Sequence, residues 1–161
     1  MTELKEIPYE DLFDGIKTIP LDYIMDAMEK SLDIDPNSRN LDTTSLTTSR
    51  LFMEAQRFYI HEVRVLEKVI AKKNKTDLYL RRYYAGELPS QVYQARPLPV
   101  KPLKSDIDVW IKADDNYIEM TTLLEEQKRK VKFIESCFDR IKSRGYEIKT
   151  AIDWRRYLDG N

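Results

Sequence analysis

Lys72, Lys73, Lys75, Arg81 and Arg82, followed directly by Tyr83 and Tyr84, place five cations and two adjacent rings within thirteen residues. Asp77 is the only acid among them, so the segment carries a local charge of +4. A single-stranded polyanion is held by cations along its phosphates and by flat rings beneath its bases, and this segment supplies both. Each base–ring stack is worth roughly 1–3 kcal/mol. The competing reading puts Tyr79, Tyr83 and Tyr84 in a core and leaves the lysines as an ordinary solvated face. The sequence weighs the two evenly, because one of two adjacent tyrosines is expected to pack inward.

A second cluster, Lys142, Arg144, Lys149, Arg155 and Arg156, accompanies Trp154 and Tyr157 near the C-terminus. Ile148, Ala151, Ile152 and Tyr157 make an apolar face there, with Arg155 and Arg156 off it. Packing on the chain's own helices or on a neighbouring subunit is expected to come first, and nucleic-acid contact second. Catalytic constellations are missing. There is no phosphate-cradling G-x-x-x-x-G-K-[ST], no H-E-x-x-H and no G-x-S-x-G. Asp114 and Asp115 diverge by about 100° on a helix and do not form one cation site. His61, the only histidine, lies between Ile60 and Glu62 and reads as a helix-surface or core-edge residue. Cys137 is the only cysteine, which excludes disulfides and Cys-based zinc sites within one chain. The expectation is a binding protein, not an enzyme, with no cofactor and no metal.

The elements that must position these clusters are helical. Four glycines in 161 residues, 34% charged and 42% hydrophobic residues favour a helix-rich chain over an all-β domain. No apolar run is long enough for a membrane span, and the N-terminus lacks a signal-peptide pattern, so a cytosolic protein is expected. The overall charge of −1 conceals a strong partition: −7 over residues 1–42, +7 over 43–104 and −1 over 105–161. Such a chain can offer a polyanion one surface and a basic partner another, or cover its own basic segment with its acidic arm.

Residues 1–42 read as an acidic arm divided by Pro8, Pro20 and Pro36, with one amphipathic helix over Pro20 to Leu32 and a break at Asp33 to Ser38. Residues 43–161 read as the helical domain. Thr43 to about Tyr84 is one long helix, with Phe52, Tyr59, Val63, Leu66 and Ile70 in one stripe and Leu51, Ala55, Phe58, Val65 and Val69 beside it. Gly86 is expected to end it, and residues 87–104, with four prolines, to form an extended spacer. Ser105 opens a second long helix with Ile107, Trp110, Tyr117, Leu124, Val131 and Phe138 at coiled-coil-like intervals, and Ile111, Ile118, Ile134 and Ile141 alongside. The alternating charges of Glu125 to Lys130 suit a solvated stretch. Gly145 should close this helix, with a final short helix over Glu147 to Leu158. The fold is thus all-α: a long helical hairpin, a short C-terminal helix and a partly ordered N-terminal arm, with apolar surface left over for a homo-oligomer. Phe138, Ile141, Ile148, Ile152 and Trp154 are the expected subunit contacts.

Two segments carry a family resemblance. One is Ile141 to Lys149, reading IKSRGYEIK, which continues through Ile152-Asp153-Trp154-Arg155-Arg156 to Gly160-Asn161. The other is Tyr83-Tyr84-Ala85-Gly86, preceded by a long basic helix containing Glu54-Ala55-Gln56. Together they resemble the UvsY family, the recombination mediators of T4-type bacteriophages, and the resemblance covers residues 45–161 loosely and 138–156 tightly. It implies a non-enzymatic protein that binds single-stranded DNA, contacts the phage single-stranded-DNA-binding protein and a UvsX-type, RecA-like recombinase, and helps load that recombinase in recombination, repair and replication. It also implies a hexamer or heptamer working in the cytoplasm of the infected bacterial host. One departure is clear. The family's Lys-x-Arg pair ahead of the two tyrosines falls here on Leu78 and Leu80. The runner-up is a coiled-coil adaptor or virion protein that binds only protein partners.

Overall fold

In the computed structural model, which describes residues 19–35 and 40–160, the chain is all-α. Six helices follow in order among the described residues: α1 (Leu21–Leu32), α2 (Leu41–Leu46), α3 (Thr48–Ala85), α4 (Ser90–Ala95), α5 (Ile107–Lys112) and α6 (Asp115–Leu158). Pro8 and Pro36 of the expected arm lie outside the described residues. The chain divides into two compact units, one of residues 65–127 and one of 19–35, 40–64 and 128–160. Helices α3 and α6 each contribute to both.

The 65–127 unit is built on two apolar clusters. Leu80, Tyr83, Tyr84, Ile107 and Ile111 form one, flanked by Leu88, Val92, Tyr93 and Leu98. Val65, Val69, Met120 and Leu124 form the other. The expected extended spacer is therefore corrected. Four of its apolar side chains reach the core, and Ser90–Ala95 closes a helical turn and a half behind Pro89, whose fixed φ suits the entry to a helix.

The other unit takes in α1. Ile24 and Leu32 are buried, and Leu32 packs with Leu51, Ala55, Cys137 and Ile141. The α1 helix runs where the apolar spacing places it, but it is core and not free arm, so a boundary at residue 42 does not separate it from the rest. Arg144 fastens it from α6, its Nη1 donating to the Ser31 carbonyl at 3.1 Å.

Helix ends follow local chemistry in some places and tertiary demand in others. Gly86, at φ +77°, terminates α3 as expected, with the Gly86 amide bonded to the Tyr83 carbonyl and the Glu87 amide to that of Arg82. That pairing is the Schellman arrangement, and only glycine takes its left-handed residue without strain. Thr47 marks a one-residue step between α2 and α3 while staying in the right-handed helical region, so the expected single helix begins as two segments. The second long helix is interrupted at Ala113 and Asp114, dividing α5 from α6. Gly145 does not close α6, which continues unbroken to Leu158 and absorbs the expected final helix. Glycine in a helix costs only about 1 kcal/mol relative to alanine, and the buried Arg144 and Ile148 on either side hold the helix through it. Within Glu125 to Lys130, Gln127 and Lys130 are buried, against the solvated stretch expected there. They occupy inward positions of α6 and each has a partner, as buried polar groups require.

Candidate nucleic-acid interface

Helix α3 carries the main basic cluster, and its inward positions set the orientation of everything else on it. Leu51, Ala55, Glu62, Val65, Val69, Thr76, Leu80 and Tyr83 are buried at spacings of three, four or seven. A helix anchored along that stripe directs Lys75, Arg81 and Arg82 outward, and all three are exposed. Lys72 and Lys73 are half-buried.

The two tyrosines expected to stack on bases are core residues. Tyr83 is 2% and Tyr84 6% exposed. Tyr83 stacks on Tyr93 at 5.4 Å between centroids, meets Tyr84 edge-on at 5.1 Å, and lies beneath the Arg96 guanidinium at 4.9 Å. Its hydroxyl donates to the Arg96 carbonyl at 3.0 Å. Tyr93 in turn donates to the Tyr83 carbonyl at 2.9 Å and accepts from the Leu88 amide. Tyr84 leans on Trp110 and donates to Asp114 Oδ2 at 2.7 Å. No ring face of this pair is left for a base, so the stacking role given to Tyr83 and Tyr84 is corrected. The alternative reading, with the rings inside, describes them.

Asp114 is the centre of that arrangement. Its side chain is fully buried, and its Oδ2 accepts from both Tyr84 and Arg96 at 2.7 Å. Its Oδ1 accepts from the Asn116 backbone and side-chain nitrogens, each at 3.0 Å. One carboxylate thus caps the start of α6, neutralises Arg96 and satisfies a buried phenol. Burial first, and then the bond to Asp114, pushes the Tyr84 hydroxyl well above its ordinary value. Burial likewise raises Tyr83. For Arg96, burial is the largest influence and works against the charge, but the bond to Asp114, the charge of Asp114 and the two tyrosines together outweigh it, and the net direction is upward. Sequence reasoning missed Asp114, Arg96 and Tyr93. For Asp114 the available signal was an aspartate directly before a renewed helical pattern, the usual helix-start residue.

Lys73 and Arg81 are engaged in ion pairs. Lys73 holds Asp77 at 2.6 Å and lies over the Tyr117 ring, and the hydrogen bond to Asp77 is the main reason its pKa rises. Arg81 ties α3 to α5 through Asp108 at 2.7 Å, with both partners more than half exposed. A pair so exposed contributes about 1 kcal/mol at most, but it still neutralises the arginine locally.

In the other unit the second basic cluster is dispersed. Arg144 is 6% exposed and committed to the Ser31 carbonyl, so it is corrected from possible DNA contact to internal fastener. Lys142 is exposed and pairs with Asp139 at 3.3 Å, Lys149 and Arg156 are exposed, and Arg155 is half-buried. The expected subunit contacts divide as well. Ile141 and Ile148 are buried at 1% each inside their own unit, so they are corrected from neighbour contacts to core. Phe138 packs on Phe52 and Tyr59, and Ile152 is half-buried. Trp154 remains exposed and stacks on the exposed Tyr157. Tyr146 and Leu158 are also exposed. Among the described residues no group of three His, Cys, Asp or Glu side chains is placed to hold a metal, and no helix is long and apolar enough to cross a membrane.

An all-α chain with a basic, partly ion-paired helix fits a class of nucleic-acid-binding proteins. Over residues 22–161 the chain matches the family described as "Recombination, repair and ssDNA binding protein UvsY", and it belongs to that family. Three crystal structures of the bacteriophage T4 recombination mediator protein UvsY share its fold. They superpose with TM-scores of 0.72, 0.70 and 0.66 at 22%, 19% and 21% identity. The matches cover 89%, 87% and 84% of this chain and 98% or more of theirs. Among curated proteins none matches.

Proposed function

We propose that this protein is a recombination mediator that binds single-stranded DNA and helps a UvsX-type, RecA-like recombinase replace the phage single-stranded-DNA-binding protein on the strand. The observation that carries the reading is family membership over residues 22–161. The chemistry agrees with it: residues 43–104 carry a net charge of +7, and α3 exposes Lys75, Arg81 and Arg82. The reading involves no catalytic step and no cofactor. It places the protein in the cytoplasm of the infected bacterial host.

A modest set of cations per subunit gains strength when several subunits engage one strand, so the reading includes a homo-oligomer, a hexamer or heptamer. The exposed Trp154, Tyr157 and Leu158 support an assembly surface on α6, since large exposed apolar groups in one short segment mark interaction sites.

The experiment has two readouts. Affinity for a labelled single-stranded oligonucleotide is measured from about 50 to 200 mM salt, where phosphate contacts are expected to weaken binding steeply. Recombinase ATP hydrolysis is then followed on strands precoated with the single-stranded-DNA-binding protein, and this protein should shorten the lag. Salt-indifferent binding, or an unchanged lag, sinks the proposal and favours a protein-only adaptor.

A further inference from the structure

Residues 97–112, within the 65–127 unit, present apolar side chains to solvent beside uncompensated cations. Val100, Leu103 and Val109 are 62%, 71% and 67% exposed. The backbone that carries them is held in place. Leu98 packs on the core, the Tyr83 hydroxyl bonds the Arg96 carbonyl, and the Asp106 amide bonds the Leu103 carbonyl at 2.9 Å in the turn that leads into α5. Lys101, Lys104 and Lys112 are exposed and have no ion-pair partner among the described residues. Of the acids in the segment, Asp108 is taken by Arg81, and Asp106 accepts from the Ser105 hydroxyl. A preformed apolar surface with spare positive charge fits an acidic segment that carries apolar anchors.

We propose that this face is the docking site of the chain's own N-terminal segment, residues 1–18, which lies outside the described residues. That segment sets five carboxylates against two lysines, a side-chain charge of −3. Its Tyr9, Leu12, Phe13 and Ile16 fall at i, i+3, i+4 and i+7, the spacing of anchors that a helix lays on an apolar surface. Its length suffices as well. Eighteen residues span at most about 60 Å, against about 57 Å for the whole of α3. The family match begins at residue 22, so this role is not one carried over from the family. Nor does it depend on strand binding, since it concerns only two parts of one chain.

Hydrogen exchange of the full-length chain, read by mass spectrometry, tests the docking. Amides of residues 9–16 should exchange about tenfold or more slowly than in a synthetic peptide of residues 1–18. Two full-length variants should lose that protection. One combines Leu12→Ser and Phe13→Ser, and the other Val100→Ser, Leu103→Ser and Val109→Ser. Exchange in α3 and helicity by circular dichroism should stay as in the parent, because the three replaced positions of the face are exposed. Raising salt from about 50 to 500 mM should weaken the protection by screening the charges. A photoreactive benzoylphenylalanine in place of Phe13, in samples mixed from unlabelled and nitrogen-15 chains, should crosslink to residues 97–112 of its own chain. Parent exchange at the peptide's rate, or protection that survives the Val100, Leu103 and Val109 changes, overturns the proposal. Crosslinks that join only labelled to unlabelled chains also overturn it, and give the face to a neighbouring subunit's segment.

Discussion

Asp114 shows how much one side chain can organise. Removing its carboxylate would uncap α6, leave the Tyr84 hydroxyl without its acceptor and leave Arg96 without its counter-ion. Breaking a fully buried ion pair costs about 3–5 kcal/mol, but Arg96 is 43% exposed and can turn to water. Asp114→Ala is therefore expected to lower stability by about 2–3 kcal/mol, measured by urea unfolding. A loss below 0.5 kcal/mol would contradict the central place given to Asp114. At Gly145 the direction reverses. Its backbone is helical and an added Cβ would meet nothing within 4 Å, so Gly145→Ala should raise stability by about 0.5–1 kcal/mol in thermal unfolding.

Between α3, α5 and the start of α6, the same contacts set a response to alkali. In Tyr84 and Tyr83 the neutral phenol is favoured in the folded state, so their folded pKa values lie above the ordinary 10.0. Below about pH 10 both phenols stay protonated folded or unfolded, and their contribution to stability is fully present. Above it the unfolded chain loses protons that the folded chain retains, and stability falls as pH rises. Urea midpoints should be level up to about pH 10 and drop beyond it, with a shallower drop in Tyr84→Phe. An equally steep drop in that variant would assign the effect to other groups. Lys73, raised by its bond to Asp77, adds to the loss in the same direction above its ordinary 10.5.

For the whole molecule, the partition of charge is plain from composition, while assembly depends on what each unit leaves uncovered. Trp154 and Tyr157 stack on each other at 5.7 Å, and both residues are more than half exposed. Replacing both with alanine removes no buried side chain from the subunit. Helicity should be unchanged, and the mass by light scattering should fall toward that of a single chain. An unchanged mass would move the assembly surface elsewhere. The loss of multivalency should also weaken strand binding by tenfold or more, as linked sites revert to single ones.

The sequence by itself determined the all-α class, the α1 helix, the end of α3 at Gly86 and the family, through Tyr83 to Gly86 and Ile141 to Lys149. These depend on periodicity, on a glycine's left-handed backbone and on short local strings, all of which are properties of neighbouring residues. Only the tertiary structure decided the direction of Tyr83 and Tyr84, because adjacent helical positions diverge and the choice between water and core depends on α4, α5 and Asp114. It also decided that Gly145 is passed through and that Gln127, Lys130 and Arg144 face inward. A helix tolerates a glycine, and a core accepts a polar group, when partners distant in sequence compensate for the cost. Those partners are absent from any local window. The basic–aromatic segment was therefore legible as a cluster, and its division into a core-facing part and an outward cationic flank was not.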